Sequence, residues 1–369
     1  MGALNKLCGK VLRGIISTIL CVCLVIGSAF FNVGGHTLYA AQTGFGAPGR
    51  HMLVKEVLKL ELAGVNTKNA VWSSSDKQVA KVSKGKVTAL KPGKTMISAS
   101  VKGKTYTCEI VVRDTVDLIV FAGQSNMMGH GRASKAPTLT EGAAYEYKSV
   151  TDKKKLNILK EPFGFGQDSG NLVNGKYCTG SMVTSFCNAY YERTNTPVVA
   201  VSATKLGSGS VGWSKVFYKD VQKRIKQSVK AVKKMGLKID HCYLVWMQGE
   251  NDVCAGTTTK QYVKRIGGML KTITDHTSVE KCMLIETGSI VYNMGAGDLA
   301  DPTAINKAQK QICDKYDEVV LISDKAYKLS EKYYQSDKLH FTQKGLDAIG
   351  KEAGSNAGKY TLSLRTNVE

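Results

Sequence analysis

Five short, continuously apolar runs in the second part of the chain constrain its fold more than any other feature. They lie at 118–122, 198–201, 243–246, 283–285 and 319–322. Because the runs contain no charged residue, strands that they form need cover on both faces. Stretches with helical periodicity separate the runs, and strands that alternate with helices build a parallel sheet between two helical layers. The sequence therefore predicts a three-layer α/β/α domain over residues 114–369.

The stretches between the runs predict five helices, at 181–193, 216–235, 259–274, 303–315 and 343–355. In the second of these, Val221, Ile225 and Val232 share one face, as in a helix that packs on a sheet. Its lysines lie largely off that stripe and indicate a solvated face. Ligand sites of parallel sheets lie beyond the carboxyl ends of the strands. Chemistry is therefore expected directly after the apolar runs.

Residues 47–113 follow a different pattern, with short, nearly alternating segments at 79–82, 86–90 and 96–101. Turn signals separate them, SKG at 83–85 and KPG at 91–93. Closely spaced strands with such turns predict a small all-β sandwich. The segments VWSSSD at 71–76, GKVTA at 85–89 and PG at 92–93 resemble a bacterial group 2 immunoglobulin-like domain. The resemblance implies either an inert spacer or a module that contacts cell-wall or extracellular polysaccharide.

The first 41 residues have the pattern of an export segment. Lys6, Lys10 and Arg13 precede an uncharged stretch over 14–33, and the small residues Ala40 and Ala41 follow. This order is typical of a secretory signal peptide, while the length of the stretch also allows an uncleaved membrane anchor. Either alternative predicts a secreted or cell-surface protein, and contact with a membrane is expected only if the segment is uncleaved.

The charge and the cysteines narrow the set of partners. The formal net charge is +21, and it is spread along the chain, with 13 basic and 4 acidic residues over 49–113. Without a basic tail, nucleic acid is not an expected partner, and the favoured consequence of the positive charge is attraction to anionic polymers.

Seven cysteines follow the export segment without a CxxC pair, and Cys108, Cys242 and Cys282 lie in apolar runs. They are predicted to be buried thiols, and no metal site is expected.

Polar residues follow the apolar runs where a site is expected. Ser125 comes three residues after the first run, Gly207 lies in the segment after the second, and Gln248 follows the third. Asp337 and His340 precede the last predicted helix. A serine hydroxyl becomes a nucleophile when an imidazole takes its proton, and a carboxylate orients that imidazole. The backbone N–H groups of Ser125 and Gly207 and the Gln248 amide are candidate donors to an oxyanion.

Three blocks resemble the sialate O-acetylesterase-like branch of the SGNH-hydrolase superfamily. They are GQSNM at 123–127, WMQGEND at 246–252 and DKLH at 337–340. The resemblance implies a catalytic triad of Ser125, His340 and Asp337, with Ser125, Gly207 and Gln248 at the oxyanion hole. It also implies that the substrate is an acetylated carbohydrate, of the sialate or xylan type, and that no cofactor is needed.

Four alternatives accompany this prediction. The glycines of 207–212 match a dinucleotide-binding pattern, but 225–236 lacks the expected acidic residue, so no nucleotide cofactor is predicted. Glu250 and Asp252 fit loop bracing better than metal binding. The second domain could instead be a non-catalytic carbohydrate-binding relic in an adhesion protein, or an esterase for longer acyl chains. Residues 142–180, with few regular signals, are expected to wall the substrate cleft.

Overall fold

The computed structural model describes residues 31–33, 36–38, 44–46, 49–167, 172–173, 176–177, 180–293 and 295–366. The chain divides into two compact units, Met1–Arg113 and Asp114–Glu369. Most of the predicted export segment lies outside the described residues. Within it, β1 (Phe31–Val33) and β2 (His36–Leu38) pair antiparallel. Among the helices that are described, none combines the length and hydropathy of a membrane span.

The first unit is an all-β sandwich whose two sheets enclose one apolar core. Its strands after β2 are β3 (Gly49–Leu53), β4 (Val57–Lys59), β5 (Val71–Ser74), β6 (Ala80–Ser83), β7 (Lys86–Ala89), β8 (Gly93–Val101) and β9 (Lys104–Arg113). One sheet has the order β3-β9-β8-β5 and the other β4-β7-β6. Alternate residues of β8, such as Ile97 and Ala99, are fully buried between them. The predicted sandwich is confirmed.

The second unit is built on a seven-stranded sheet. Its strands, in chain order, are β10 (Thr115–Gly123), β11 (Ala144–Lys148), β12 (Asp152–Ile158), β15 (Val198–Ser202), β16 (Lys238–Met247), β17 (Lys281–Ile285) and β20 (Val319–Ser323). The two-stranded sheets β13–β14 (Leu172–Val173 and Lys176–Tyr177) and β18–β19 (Tyr292–Asn293 and Asp298–Leu299) lie outside it. The order in the main sheet is β12-β11-β15-β10-β16-β17-β20, and every pair except β11–β12 is parallel. The predicted three-layer α/β/α fold is confirmed.

The strands β11 and β12 lie in the segment for which the sequence indicated little regular structure. The outer strand β12 is largely exposed and carries three consecutive lysines, Lys153, Lys154 and Lys155. An edge strand needs no continuous apolar run because it is not covered on all sides, and charged residues protect its free edge from other strands. Its sequence therefore lacks the signal that identified the central strands.

Helices cover the sheet at the predicted positions, with differences at their ends. They are α1 (Ser125–Met128), α2 (Val183–Thr194), α3 (Ser210–Gly212), α4 (Tyr218–Lys234), α5 (Glu250–Cys254), α6 (Thr259–Tyr262), α7 (Gly268–His276), α8 (Thr303–Lys315), α9 (Lys325–Lys328) and α10 (Gln343–Thr366). Wider π-helical turns, Trp213–Phe217 and Val263–Gly267, precede α4 and α7, and 3₁₀ turns occur at Ala133–Lys135 and Glu331–Tyr333.

Helix α10 continues eleven residues beyond its predicted end because its glycines serve packing. A Cβ atom on Gly350 would lie 2.3 Å from the carbonyl oxygen of Met182, and one on Gly354 would lie 2.1 Å from that of Phe186. Met182 is the N-cap of α2 and Phe186 lies in its first turn. Because Gly350 and Gly354 have no side chains, the two helices can approach closely. Glycine normally disfavours a helix interior. Here the close contact compensates for that preference.

This contact predicts opposite effects for two glycine substitutions. We expect Gly354→Ala to lower the free energy of unfolding by about 1–3 kcal/mol, because the added methyl group forces α10 away from α2. The matched control is Gly268→Ala, since a Cβ atom there meets nothing within 4 Å. In α7 that change should stabilise the protein by roughly 0.5–1 kcal/mol. Urea unfolding of both variants measures the difference, and equal stability would contradict the packing argument.

Candidate active site

The end of β10 delivers Ser125 to the carboxyl edge of the sheet. Gly123 closes the strand with φ of +145°, and a Cβ atom there would lie 1.9 Å from the carbonyl oxygen of Met247 on β16. Only glycine fits this approach. The chain then turns through Gln124 into the short helix α1, which begins at Ser125. As the first residue of the helix, Ser125 has an N–H without an intrahelical acceptor.

The structure brings Ser125, His340 and Asp337 together. Ser125 Oγ lies 2.9 Å from Nε2 of His340, and Nδ1 of the same ring lies 2.8 Å from Oδ2 of Asp337. The other oxygen of Asp337 accepts the N–H groups of Leu339 and His340, at 3.0 and 2.9 Å. The order of contacts, hydroxyl to imidazole to carboxylate, is the one that activates a serine.

The carboxylate of Asp337 stays ionised in this arrangement. Burial alone would raise its pKa, but the hydrogen bonds from the His340 ring and from the two backbone N–H groups outweigh burial and lower the pKa to about 2. A carboxylate that is ionised at all working pH values accepts the Nδ1 proton of His340. That leaves Nε2 as the nitrogen that can take a proton from Ser125.

Asn126, to which the sequence analysis assigned no role, joins the loops that carry Ser125 and His340. Its Nδ2 donates to Glu250 Oε1 at 2.6 Å and to the carbonyl oxygen of Leu339 at 3.2 Å. Its Oδ1 accepts the N–H of Phe341 at 3.1 Å. Glu250 is buried, and burial raises its pKa. The signal that could have indicated this role is the position of Asn126, directly after the serine in the first block.

A second histidine that the sequence analysis did not single out, His130, stacks on His340. The ring centroids are 4.1 Å apart and the planes are inclined by 11°. Its position in the sequence, five residues after Ser125, gave no periodic or spacing signal for this contact. The contact depends on where the loop of His340 returns to the sheet edge.

Gly207 lies in the turn after β15, close to the loop of Ser125. It has φ of +61°, and its carbonyl oxygen accepts Nδ2 of Asn251 at 3.1 Å. Asn251 Oδ1 in turn accepts Nε2 of Gln124 at 3.0 Å. No acceptor among the described residues takes the Gly207 N–H. Gly207 therefore keeps a backbone donor at the edge of the sheet where Ser125 emerges.

Gln248 does not keep a free donor, and the prediction that its amide belongs to the oxyanion hole needs correction. The fully buried Nε2 lies 2.7 Å from Asp252 Oδ2, 3.0 Å from the carbonyl oxygen of Ser208 and 3.1 Å from Gln124 Oε1. Two protons already face three acceptors. The amide braces the turn that contains Ser208, and it has no proton left for a substrate oxygen.

The predicted loop-bracing role of Glu250 and Asp252 is confirmed. Asp252 accepts hydrogen bonds from the backbone and hydroxyl of Ser210 and from Thr257 in addition to Gln248. The backbone N–H of Ser210 lies within the segment that matches a dinucleotide pattern. Because Asp252 already occupies that N–H, a phosphate would have to displace a carboxylate there.

The described cysteines are free thiols, as predicted for Cys108, Cys242 and Cys282, which are almost fully buried.

The segment 142–180 is tied to its surroundings through Glu161. The carboxylate of Glu161 accepts hydrogen bonds from the backbone N–H and hydroxyl of Ser181 and from the hydroxyl of Thr184, at 2.8–2.9 Å. Gly164 approaches Ser202 at the carboxyl end of β15. That the segment 142–180 walls the substrate cleft stays a prediction.

Two family profiles match the chain. The profile of the carbohydrate esterases, sialic acid-specific acetylesterase, covers residues 115–358, and that of the bacterial Ig-like domain (group 2) covers 57–110. A search of curated protein sequences finds no match.

Solved structures resemble the chain at low identity, and one of them has a TM-score above 0.5. A protein from Arabidopsis thaliana is 19% identical with a TM-score of 0.51, over 67% of this chain and 98% of that one. A carbohydrate acetylesterase from Xanthomonas citri is 12% identical with a TM-score of 0.44, over 87% and 75%. An acetylxylan esterase from Geobacillus stearothermophilus, solved as a catalytic mutant, is 15% identical with a TM-score of 0.36, over 65% and 93%.

The family assignment rests on the profile, which spans about two thirds of the chain and nearly all of the second unit. The site described above lies within the matched residues. A group 2 Ig-like domain precedes it. The chain therefore belongs to the sialic acid-specific acetylesterase family of carbohydrate esterases, and it is an enzyme of the carbohydrate O-acetylesterase class.

Proposed function

We propose that the protein is a secreted or cell-surface serine esterase that removes O-acetyl groups from carbohydrate, with Ser125 as nucleophile. The observation that carries the proposal is the 2.9 Å contact between Ser125 Oγ and His340 Nε2, on a ring whose other nitrogen contacts Asp337. The order of basic, apolar and small residues over 1–41 supports export.

The reaction begins when Ser125 Oγ attacks the acetyl carbonyl carbon while His340 Nε2 accepts the hydroxyl proton. The carbonyl oxygen becomes an oxyanion, for which the N–H groups of Ser125 and Gly207 are the proposed donors. The bond between the carbonyl carbon and the sugar oxygen then breaks, and that oxygen takes the proton from His340 and leaves as a sugar hydroxyl. Water gives a proton to the same imidazole as it attacks the acyl-enzyme, the bond to Ser125 Oγ breaks, and His340 returns the proton to Ser125 as acetate is released.

The substrate class is an acetyl ester on a sugar, of the sialate or xylan type. The family description supports this class. None of the proposed steps uses a nucleotide or a metal ion. Acetate release from acetylated xylan, acetylated sialosides and acetylated bacterial wall glycans, measured side by side, identifies the sugar. Comparison of acetate with octanoate aryl esters tests the alternative of a longer acyl chain.

A second function, adhesion through the Ig-like unit, is favoured by one exposed sheet face. On the sheet β4-β7-β6, the outward positions include Lys59 and Lys86, which stand directly opposite each other, and Lys81 on the neighbouring strand. No described carboxylate forms an ion pair with any of the three. Like charges directly opposite each other destabilise a sheet. An anionic polysaccharide bound across this face would neutralise the three lysines. We propose such a polysaccharide as the partner of the Ig-like unit.

Substitution of the nucleophile tests the esterase proposal. We expect Ser125→Ala to lower kcat for an aryl acetate by at least about 10³-fold, because no hydroxyl remains to form the acyl-enzyme. Ser214→Ala, at a partly buried serine of the π-helical turn, is the matched control and should leave kcat unchanged. Circular dichroism checks that both variants fold. Full activity in Ser125→Ala would refute the assignment.

The ionisation of the site predicts the pH profile. An imidazole takes a proton only when it is neutral, so activity should fall as the pH drops from roughly 8 to 5 and the base becomes protonated. Asp337 does not cause this fall, since its lowered pKa of about 2 keeps it ionised far below that range. The stability that its hydrogen bonds provide should be lost progressively as the pH falls from about 4, near the ordinary pKa of an aspartate, through about 2. A kcat/KM that is flat from pH 5 to 8 would contradict the proposed base.

Binding of the full chain to polygalacturonate, with dextran as the neutral comparison, tests the adhesion proposal. We expect the triple variant Lys59→Gln, Lys81→Gln, Lys86→Gln to weaken binding roughly tenfold, at about 0.5 kcal/mol for each of three exposed ion pairs. The matched control carries the same charge change on α4, at Lys219, Lys223 and Lys226. Equal weakening in both variants would indicate attraction to the overall charge and would overturn a specific face.

A further inference from the structure

The stacked ring of His130 has no part in the reaction described above. His340 directs Nε2 toward Ser125 and Nδ1 toward Asp337, so both of its contacts lie within the plane of its own ring. The torsion that rotates an imidazole about its Cβ–Cγ bond has a broad energy minimum. A flat, nearly parallel ring whose centroid lies 4.1 Å from that of His340 limits the rotation that would move both nitrogens away from their partners.

The stack is held from the backbone side as well. Gln335 Nε2 donates to the carbonyl oxygen of His130 at 2.7 Å and to that of Phe341 at 3.0 Å. The backbone N–H of Gln335 donates to the carbonyl oxygen of His340 at 2.8 Å. Through its side chain and its backbone, Gln335 therefore ties the chain at His130 to the backbone of His340 and Phe341. The two rings are neighbours because their backbones are connected, and not through side-chain contact alone.

The chemistry of His130 suits a ring that acts through its face. Burial and, to a smaller extent, the nearby His340 lower the pKa of His130 to about 4, against the opposing effect of Asp337. The ring is thus neutral at pH values where an ordinary imidazole base works. Its Nε2 is buried and has no hydrogen-bond partner among the described residues. That nitrogen is not used to hold the ring in place.

We propose that His130 is a positioning residue of the esterase, whose neutral ring keeps the plane of His340 aligned with both Ser125 and Asp337. The inference rests on the proposed function of those three residues. When His340 takes the serine proton it becomes a cation, and the face of a neutral aromatic ring attracts a cation. A charged ring at the same place would repel it. A neutral, flat side chain is therefore the requirement at position 130.

Three variants test this requirement with an aryl acetate as substrate. We expect His130→Ala to lower kcat by about 10- to 100-fold with KM nearly unchanged, because a base that is misplaced by a fraction of an ångström transfers the proton poorly. His130→Phe, which keeps a flat neutral ring, should restore kcat to within about threefold of the wild type. His276→Ala, at an exposed histidine of α7, is the matched control and should behave as the wild type.

A second readout does not depend on turnover. The proton between His340 Nδ1 and Asp337 should give a separate ¹H NMR signal in the wild type, in His130→Phe and in His276→Ala, and a broadened or absent one in His130→Ala. Wild-type kcat and signal in His130→Ala would overturn the inference. So would an equal loss in the Phe and Ala variants with native circular dichroism. If Ser125→Ala keeps full activity while the signal follows the expected pattern, the proposed function fails and the positioning of the ring stands.

Discussion

The pairing of β10 with β16 at the centre of the sheet is the constraint on which the rest of the second unit depends. Residues 118–122 of β10 are inaccessible to solvent, and each is paired with a residue of β16 between Cys242 and Trp246. A shift in register would place different side chains against the helices on both faces and would leave cavities there. The register is thereby specified, and it aligns the carboxyl ends of the strands. The close approach of Gly123 to Met247 shows how tight that alignment is.

The alignment places polar groups where water is largely excluded, so each of them needs a partner. Gln248 and Asp252 satisfy one another and the turns around Ser208 and Ser210. Asn126 does the same for Glu250 and the loop of His340. A buried network of this kind stabilises one arrangement when every member is bonded. Its effect here is to fix the turns that carry the site, even though most of its members touch neither Ser125 nor His340.

Ser125 and His340 come from different parts of the unit, and the contact between them depends on helix packing. Ser125 follows a strand, whereas His340 lies in the loop that leads into α10. The loop continues into α10, whose first residue, Gln343, donates from Nε2 to the carbonyl oxygen of Ser181 at 2.9 Å. Gly350 and Gly354 then bring α10 against α2. The position of His340 is therefore influenced by how closely α10 packs on α2, two to three helical turns beyond the start of α10.

What the sequence alone determined is five of the seven strands in the main sheet and most of the functional groups. Runs such as 243–246 are apolar at every position, and burial on both faces follows directly from that composition. The blocks at 123–127 and 337–340 likewise contain their chemistry in the residue types themselves. The sequence did not predict edge strand β12 because the strand is exposed and has no apolar run. It did not predict the last eleven residues of α10 because glycines, which normally disfavour a helix, serve there in the contact with α2.

Tertiary structure alone decided which polar groups remain free and which rings meet. The amide of Gln248 is a possible donor in the sequence, yet folding directs it at Asp252 and Ser208 because those acceptors are buried with it. His130 and His340 are separated by most of the domain in the sequence, and only the return of the chain to the sheet edge stacks their rings. Local sequence specifies strands through burial, whereas the competition among buried donors and acceptors is resolved only when distant segments pack.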